Sequence, residues 1–303
     1  MAKLVVVGDF NADIVLYFDR FPRPGETINA KGFFEGPGGK GSNQAVAAAR
    51  LGADVTFVGA IGNDHYGRIA MDAWTDAGVD TSLVLHSDSV PTAVAMIYVD
   101  AAGDNTIGVN QAANLTLEPE GIDAIAETIA EADILMCTLG VSIDVVGRAL
   151  SVAKHSGTKT LLNPAPAATL PRAVLDAADY ITPNEHELAE MLGGDGDLVT
   201  SARKMLSRDD QTAVVTLGRA GARWITSTET EQVGAFSVDA IDTVGAGDAF
   251  NAALAVAIAE GQPLGEAIRF ANAAAALSVT RQGAVGGMPM REECEAFLRD
   301  HRA

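Results

Sequence analysis

Cysteine is almost missing from this 303-residue chain, which has only Cys137 and Cys294. One lies in an apolar β-type run and the other in a C-terminal helical stretch, so neither a disulfide framework nor a cysteine-based metal site is expected, and a reducing compartment fits. Basic residues are also few: 21 Lys and Arg stand against 40 Asp and Glu, for a formal net charge of −19. A field of that sign repels phosphate backbones, which argues against nucleic acid and anionic membranes as partners. Long apolar runs are absent. Leu4–Val7 gives way at once to Gly8-Asp9, too short for a signal peptide, and no uninterrupted run reaches membrane-spanning length. The expected location is the cytoplasm. The five histidines form no His-Glu-x-x-His pair, and no Gly-x-Ser-x-Gly elbow occurs, so zinc and serine hydrolases are unsupported. A dinucleotide-binding oxidoreductase fares no better, because Val7-Gly8-Asp9-Phe10-Asn11-Ala12 lacks Gly-x-Gly-x-x-Gly.

What remains is a chain that is 48% apolar, ample for a sizeable core. Apolar β-type runs at Leu4–Val7, Val55–Val58, Ile134–Cys137, Thr160–Leu162 and Ala213–Leu217 alternate with helical stretches that end in glycine. That pattern predicts an α/β fold, a doubly wound and mostly parallel sheet flanked by helices, in one domain over residues 1–303. Such sheets bind ligands at the carboxyl ends of their strands. Two segments break the alternation, Ile14–Glu35 and Thr92–Val109, and both look like antiparallel strands. Together they predict a small β-sheet lid, whose exposed edge would be covered by pairing with a second subunit.

Two glycine turns carry the chemistry. Asp242-Thr243-Val244-Gly245-Ala246-Gly247-Asp248 opens into the apolar run Ala252–Ala259. Free N–H groups at a helix start favour an anion, and glycine lets the backbone approach one, so Gly245, Ala246 and Gly247 suit a phosphate with Asp248 as a base beside it. An acid in a first helical turn is ordinarily a cap or dipole partner, and that plainer role competes here. At the other end, Gly38-Gly39-Lys40-Gly41-Ser42-Asn43-Gln44 feeds a second helix, with Ser42 or Asn43 as its natural cap. It is not a Walker loop, since position 34 is Phe and Gly rather than Ser or Thr follows Lys40.

These turns occur in one order with Asn11-Ala12-Asp13, Pro24-Gly25-Glu26-Thr27, Asn163-Pro164-Ala165-Pro166 and Thr182-Pro183-Asn184-Glu185-His186-Glu187. From about Leu4 to about Phe297 the chain resembles the ribokinase-like carbohydrate kinase family. The resemblance implies transfer of the ATP γ-phosphoryl to a sugar hydroxyl, foremost the 5-hydroxyl of D-ribose, with a nucleoside or another sugar as the alternative acceptor. A non-catalytic sugar-binding protein is the competing class, and it would have no use for a base at a phosphate turn. The resemblance makes Asp248 the base and gives sugar contacts to Asn11, Asp13, Gly39, Lys40 and Asn43. Otherwise Asn11 and Asp13 would be an Asx turn entering the lid. Ala95, Ile97 and Val109 would close apolar surface over the ring.

On the nucleotide side the resemblance assigns contacts to Asn184, Thr216, Gly218, Gly221, Gly247 and Asn272. It has Glu187 organise Mg²⁺ through water, as a hard cation prefers oxygen. It also implies an activating K⁺, held by the Asp242 carboxylate and the carbonyls of Val244, Ser278, Arg281 and Gly283. Two departures stand out. A Glu usual in the family after the strand Ile134–Cys137 is missing, since the chain reads Thr138-Leu139-Gly140-Val141. Gly287 stands where a serine hydroxyl can serve the cation. The unpaired lid edge further predicts a homodimer whose lids pair.

Overall fold

In the computed structural model every residue is described except 195, 302 and 303. Fourteen strands follow the chain among those residues. They are β1 (Lys3–Val7), β2 (Asn11–Tyr17), β3 (Gly32–Gly38), β4 (Asp54–Val58), β5 (Ala60–Gly62), β6 (Leu85–Ser87) and β7 (Val94–Val99). Then come β8 (Asn105–Asn110), β9 (Ile134–Thr138), β10 (Lys159–Asn163), β11 (Tyr180–Ile181), β12 (Thr212–Thr216), β13 (Ala222–Ile225) and β14 (Thr230–Val233). The five apolar runs become β1, β4, β9, β10 and β12 within one eight-stranded sheet of order β14-β13-β12-β11-β10-β9-β1-β4. Its pairs from β4 through β12 are parallel, and β13 and β14 close one edge as an antiparallel hairpin.

Period-two alternation explains why this sheet is buried on both faces. In β1, Leu4 and Val6 join one apolar cluster with Ala45, Ala48 and Ala252, while Val5 and Val7 join another with Leu135, Val145 and Leu150. Successive side chains of a strand point to opposite faces, so an unbroken apolar run needs a helical layer on each side. One layer holds the helices Lys40–Arg50, Ala246–Ala259 and Leu264–Ser278, and the other holds Ile143–Ser156. Alanine dominates the Ala246–Ala259 helix, which allows it to lie deep in its layer with Ala252 through Ile258 buried.

The lid forms a separate sheet of order β3-β2-β7-β8. Its outer pairs are antiparallel, as the sequence predicts, but the central β2–β7 pair runs parallel. The two halves of the lid come from distant parts of the chain, so no hairpin joins β2 to β7 and their direction is free to be parallel. Asp13 pairs with Ala95, which pairs with Val109, so these three side chains share one face of the lid.

Candidate active site

The candidate residues gather where the parallel strands end. Thr138 and Asn163 are the last residues of β9 and β10 and lie in register, and Thr216 ends β12. The turn after β1 and the helix Lys40–Arg50 complete this end of the sheet, the position at which open α/β sheets take ligands.

Asp248 is buried in the first turn of the helix Ala246–Ala259, 7% exposed. It does not cap that helix. The N-cap is Gly245, in the left-handed region at φ 81° and without a side-chain bond. The carboxylate instead reaches across to the other glycine turn, where Oδ2 accepts from Asn43 Nδ2 at 3.0 Å and Oδ1 from Gln44 Nε2 at 3.1 Å. Burial holds its pKa above the ordinary carboxylate range, against the charge of Lys40 and the two amide bonds, while the charge of Asp9 pushes it up further. A carboxyl so placed is a stronger base than a solvated one.

Asn11 and Asp13 sit on β2 opposite Gly38 and Gly36. Burial and the charges of Asp9 and Asp248 push the Asp13 carboxyl up to about 7. The two walls of the site meet backbone to backbone. A Cβ on Gly41 would fall 2.6 Å from the Gly8 Cα, one on Gly38 2.3 Å from the Asp13 carboxylate, and one on Gly39 2.7 Å from the Asn11 nitrogen. Gly39, at φ 88°, is the N-cap of the helix Lys40–Arg50. Neither Ser42 nor Asn43 caps it, contrary to the sequence expectation. Ser42 Oγ accepts from Trp74 Nε1 at 2.9 Å, and Asn43 is committed to Asp248. Over this wall Ala95 is buried, Ile97 half-buried and Val109 53% exposed, which leaves apolar surface on the lid face that carries Asp13.

Asn184 and Glu187 form a capping box at the start of the helix Glu185–Leu192: the Glu187 N–H donates to Asn184 Oδ1 at 2.8 Å, and the Asn184 N–H to Glu187 Oε2 at 2.8 Å. Glu187 thus has a plain capping role at its own helix. Yet only Oε2 carries the capping bond, and the charges of Lys40 and Asp248 both act on this carboxyl, whose pKa burial raises. Asn184 bridges to Thr216 in parallel, and the turn Gly218–Ala220 follows, with Gly218 and Gly221 at positive φ. Asn272 is buried on the helix Leu264–Ser278 and donates to the carbonyls of Val233 and Gly234, which ties that helix to the end of β14.

Asp242 joins two loops. Its Oδ1 accepts from the Val244 N–H at 3.0 Å and its Oδ2 from the Gly283 N–H at 2.9 Å. Ser278 ends its helix, where the last carbonyls have no partner further along the helix. A Cβ on Gly287 would lie 2.6 Å from the Ser278 carbonyl oxygen, which leaves no room for a side chain there. Among the described residues no group of three or more His, Cys, Asp or Glu is placed to hold a metal ion by itself.

Sequence inspection assigned no role to four residues that build this site. Gln44 links Asp248 to Asn163 Oδ1 at 3.0 Å, and Asn163 Nδ2 donates to the Thr182 carbonyl. Asn114 brackets Phe10, accepting its N–H and donating to its carbonyl, and also donates to Asn11 Oδ1. Thr138 donates to Asp9. The signal available for Gln44 was a polar side chain on the inward face of an apolar helix. For Asn114, 103 residues from its partner Asn11, there was none.

The pfkB family carbohydrate kinase pattern matches residues 1–291. The chain is 38% identical over 301 residues to the ribokinase of Bacillus subtilis, with 98% of this chain and 100% of that one covered. It is 34% identical over 300 residues to the deoxyribokinase of Salmonella typhimurium, with 97% and 98% covered. The structure of Arabidopsis thaliana ribokinase complexed with ribose and ATP superposes with a TM-score of 0.91 at 32% identity, over 99% of each chain. With a buried carboxylate at a glycine-opened helix and a family match over nearly its whole length, the chain belongs to the pfkB family of carbohydrate kinases.

Proposed function

We propose that this protein transfers the γ-phosphoryl group of Mg·ATP to the 5-hydroxyl of D-ribose, giving D-ribose 5-phosphate and ADP. The observation that carries this is Asp248, buried at the opening of a glycine-started helix and held by Asn43 and Gln44 across the site from Asn11 and Asp13. The names of the relatives support ribose as acceptor.

In this scheme Asn11, Asp13, Gly39, Lys40 and Asn43 hold the sugar with its primary hydroxyl at Asp248. Asn43 exchanges its bond to Asp248 for one to the sugar. Asp248 orients that hydroxyl and takes its proton late, as a loose transition state allows. The N–H groups of Ala246, Gly247 and Asp248 meet the charge that develops on the transferred group. Asn184, Thr216, Gly218, Gly221 and Asn272 line the nucleotide side.

Mg²⁺ would neutralise the phosphate oxygens, and the donor set fits a water-mediated role, because capping uses Glu187 Oε2 and leaves Oε1 for a metal-bound water. K⁺ would sit between the loops that Asp242 already joins, with carbonyls of Val244, Ser278, Arg281 and Gly283. Each carboxylate oxygen accepts one N–H there and keeps a further lone pair. The ion would steady the Gly245–Gly247 turn. The enzyme works in the cytoplasm as a homodimer joined through the lid, in keeping with the exposed lid residue Phe33.

A coupled ADP-release assay over pentoses, hexoses and nucleosides tests the acceptor. Ribose should give the highest kcat/KM. A nucleoside that outperforms ribose would overturn the assignment.

A further inference from the structure

Asp9 takes no part in the scheme above, yet it is the most constrained carboxylate in the site. It follows β1 after Gly8, is 5% exposed, and lies between the two walls. Its Oδ1 accepts from the Gly41 N–H at 2.9 Å and from Thr138 Oγ1 at 3.2 Å. Its Oδ2 accepts only from Asn11 Nδ2, at 3.0 Å. A carboxylate offers about four acceptor positions, so three bonds leave one open, on the oxygen beside Asn11. The charge of Asp9 acts on both Asp13 and Asp248.

Gly140 supplies the second observation. A Cβ built there would fall 2.1 Å from the Asp9 Cγ and 2.3 Å from its Oδ1. The φ of Gly140 is not in the left-handed region, so its backbone does not demand glycine. What demands glycine is the carboxylate, which occupies the space where a side chain at 140 would begin. The chain therefore cannot hold both Asp9 in this position and any side chain at 140.

We propose that Asp9 is a specificity-determining residue of the acceptor pocket, and that its carboxylate, delivered from the β1 end into the space left by Gly140, accepts a hydrogen bond from a ring hydroxyl of the sugar. The carboxylate that the strand β9 lacks is thus provided from the neighbouring strand β1. Asp9 and Gly140 act as one unit. This rests on the ribose-kinase reading and adds to it a second acidic contact besides Asp13, at a hydroxyl other than the one phosphorylated.

The test compares D-ribose with 2-deoxy-D-ribose, 3-deoxy-D-ribose and 1,4-anhydroribitol in the intact enzyme and in Asp9→Asn. Loss of a hydrogen bond to a charged group should lower kcat/KM for ribose about 10- to 100-fold, mainly through KM for the sugar, with KM for ATP unchanged. With the one analogue that lacks the hydroxyl held by Asp9, the variant and the intact enzyme should be equal. A uniform loss across ribose and all three analogues would mean that Asp9 only braces Asn11 and the Gly41 turn, and would overturn the proposal. Gly140→Ala provides an arm that keeps the charge. It should displace Asp9 and reproduce the ribose defect, yet add nothing in an Asp9→Ala background. Full additivity of those two substitutions, or a Gly140→Ala enzyme with intact ribose kinetics, would also overturn it. If the intact enzyme phosphorylates no pentose, the ribose-kinase reading falls together with this inference. If it phosphorylates ribose but shows no analogue dependence on Asp9, only the inference falls.

Discussion

Asp248 owes its position to amides from the opposite end of the chain rather than to its own helix. Asp248→Asn should keep the fold and ATP binding while turnover falls by about 10²–10⁴, the usual range for a general base. Near-normal kcat with ribose would reduce Asp248 to a packing residue. Asp13 gives a pH signature. Its carboxyl ionises at about 7 in the native protein, against 3.8 in an unfolded chain, so the native state retains a proton that the unfolded state has lost in between. The sign follows: its contribution to stability falls as pH rises through that window. In the proposed scheme sugar recognition moves the other way, since an ionised carboxylate accepts from hydroxyls with both oxygens. In the free enzyme, kcat/KM for ribose should climb between about pH 6 and 8, and Asp13→Asn should flatten that rise. A profile in Asp13→Asn that keeps the same inflection would assign it to another group. At this scale the sequence disclosed the residues whose chemistry is local, such as Asp248 beside its glycines. It did not disclose Gln44, Asn114 or the Asp9–Gly140 fit, because each depends on atoms that only the fold brings within reach.

At the scale of elements, the strand and helix pattern was readable because period two and glycine stops are local signals. The parallel pairing of β2 with β7 was not, since pairing direction depends on how two distant segments leave the main sheet. The loop pair joined by Asp242 yields the next prediction. At constant ionic strength in tetramethylammonium buffer, added K⁺ should raise kcat or lower KM, and Asp242→Ala should lose most of that response. Rates that ignore K⁺ in the intact enzyme would exclude the cation. The lid yields another. Transfer to a sugar hydroxyl requires exclusion of water, so hydrogen exchange in β2, β3, β7 and β8 should slow when ribose binds. Identical exchange with and without ribose would rule out closure.

For the whole molecule, the lid sheet leaves Phe33 64% and Ile107 52% exposed. Apolar strands with open edges are normally covered, and a second copy of the same sheet provides a self-complementary cover. Light scattering should therefore report a dimer, and a monomer across micromolar concentrations would remove this arrangement without touching the chemistry. The bonds from Asn43 and Gln44 to Asp248 span 205 and 204 residues of chain. Those two bonds also set a schedule. A ribosome adding about 5–20 residues per second needs on the order of 10–40 s to deliver the second partner after the first. Through that interval the nascent Lys40–Arg50 segment carries Ala45, Val46 and Ala48 without the helix that will cover them. The candidate site is thus among the last parts of the protein to come into being, and a chain released early would own the Lys40 turn without Asp248.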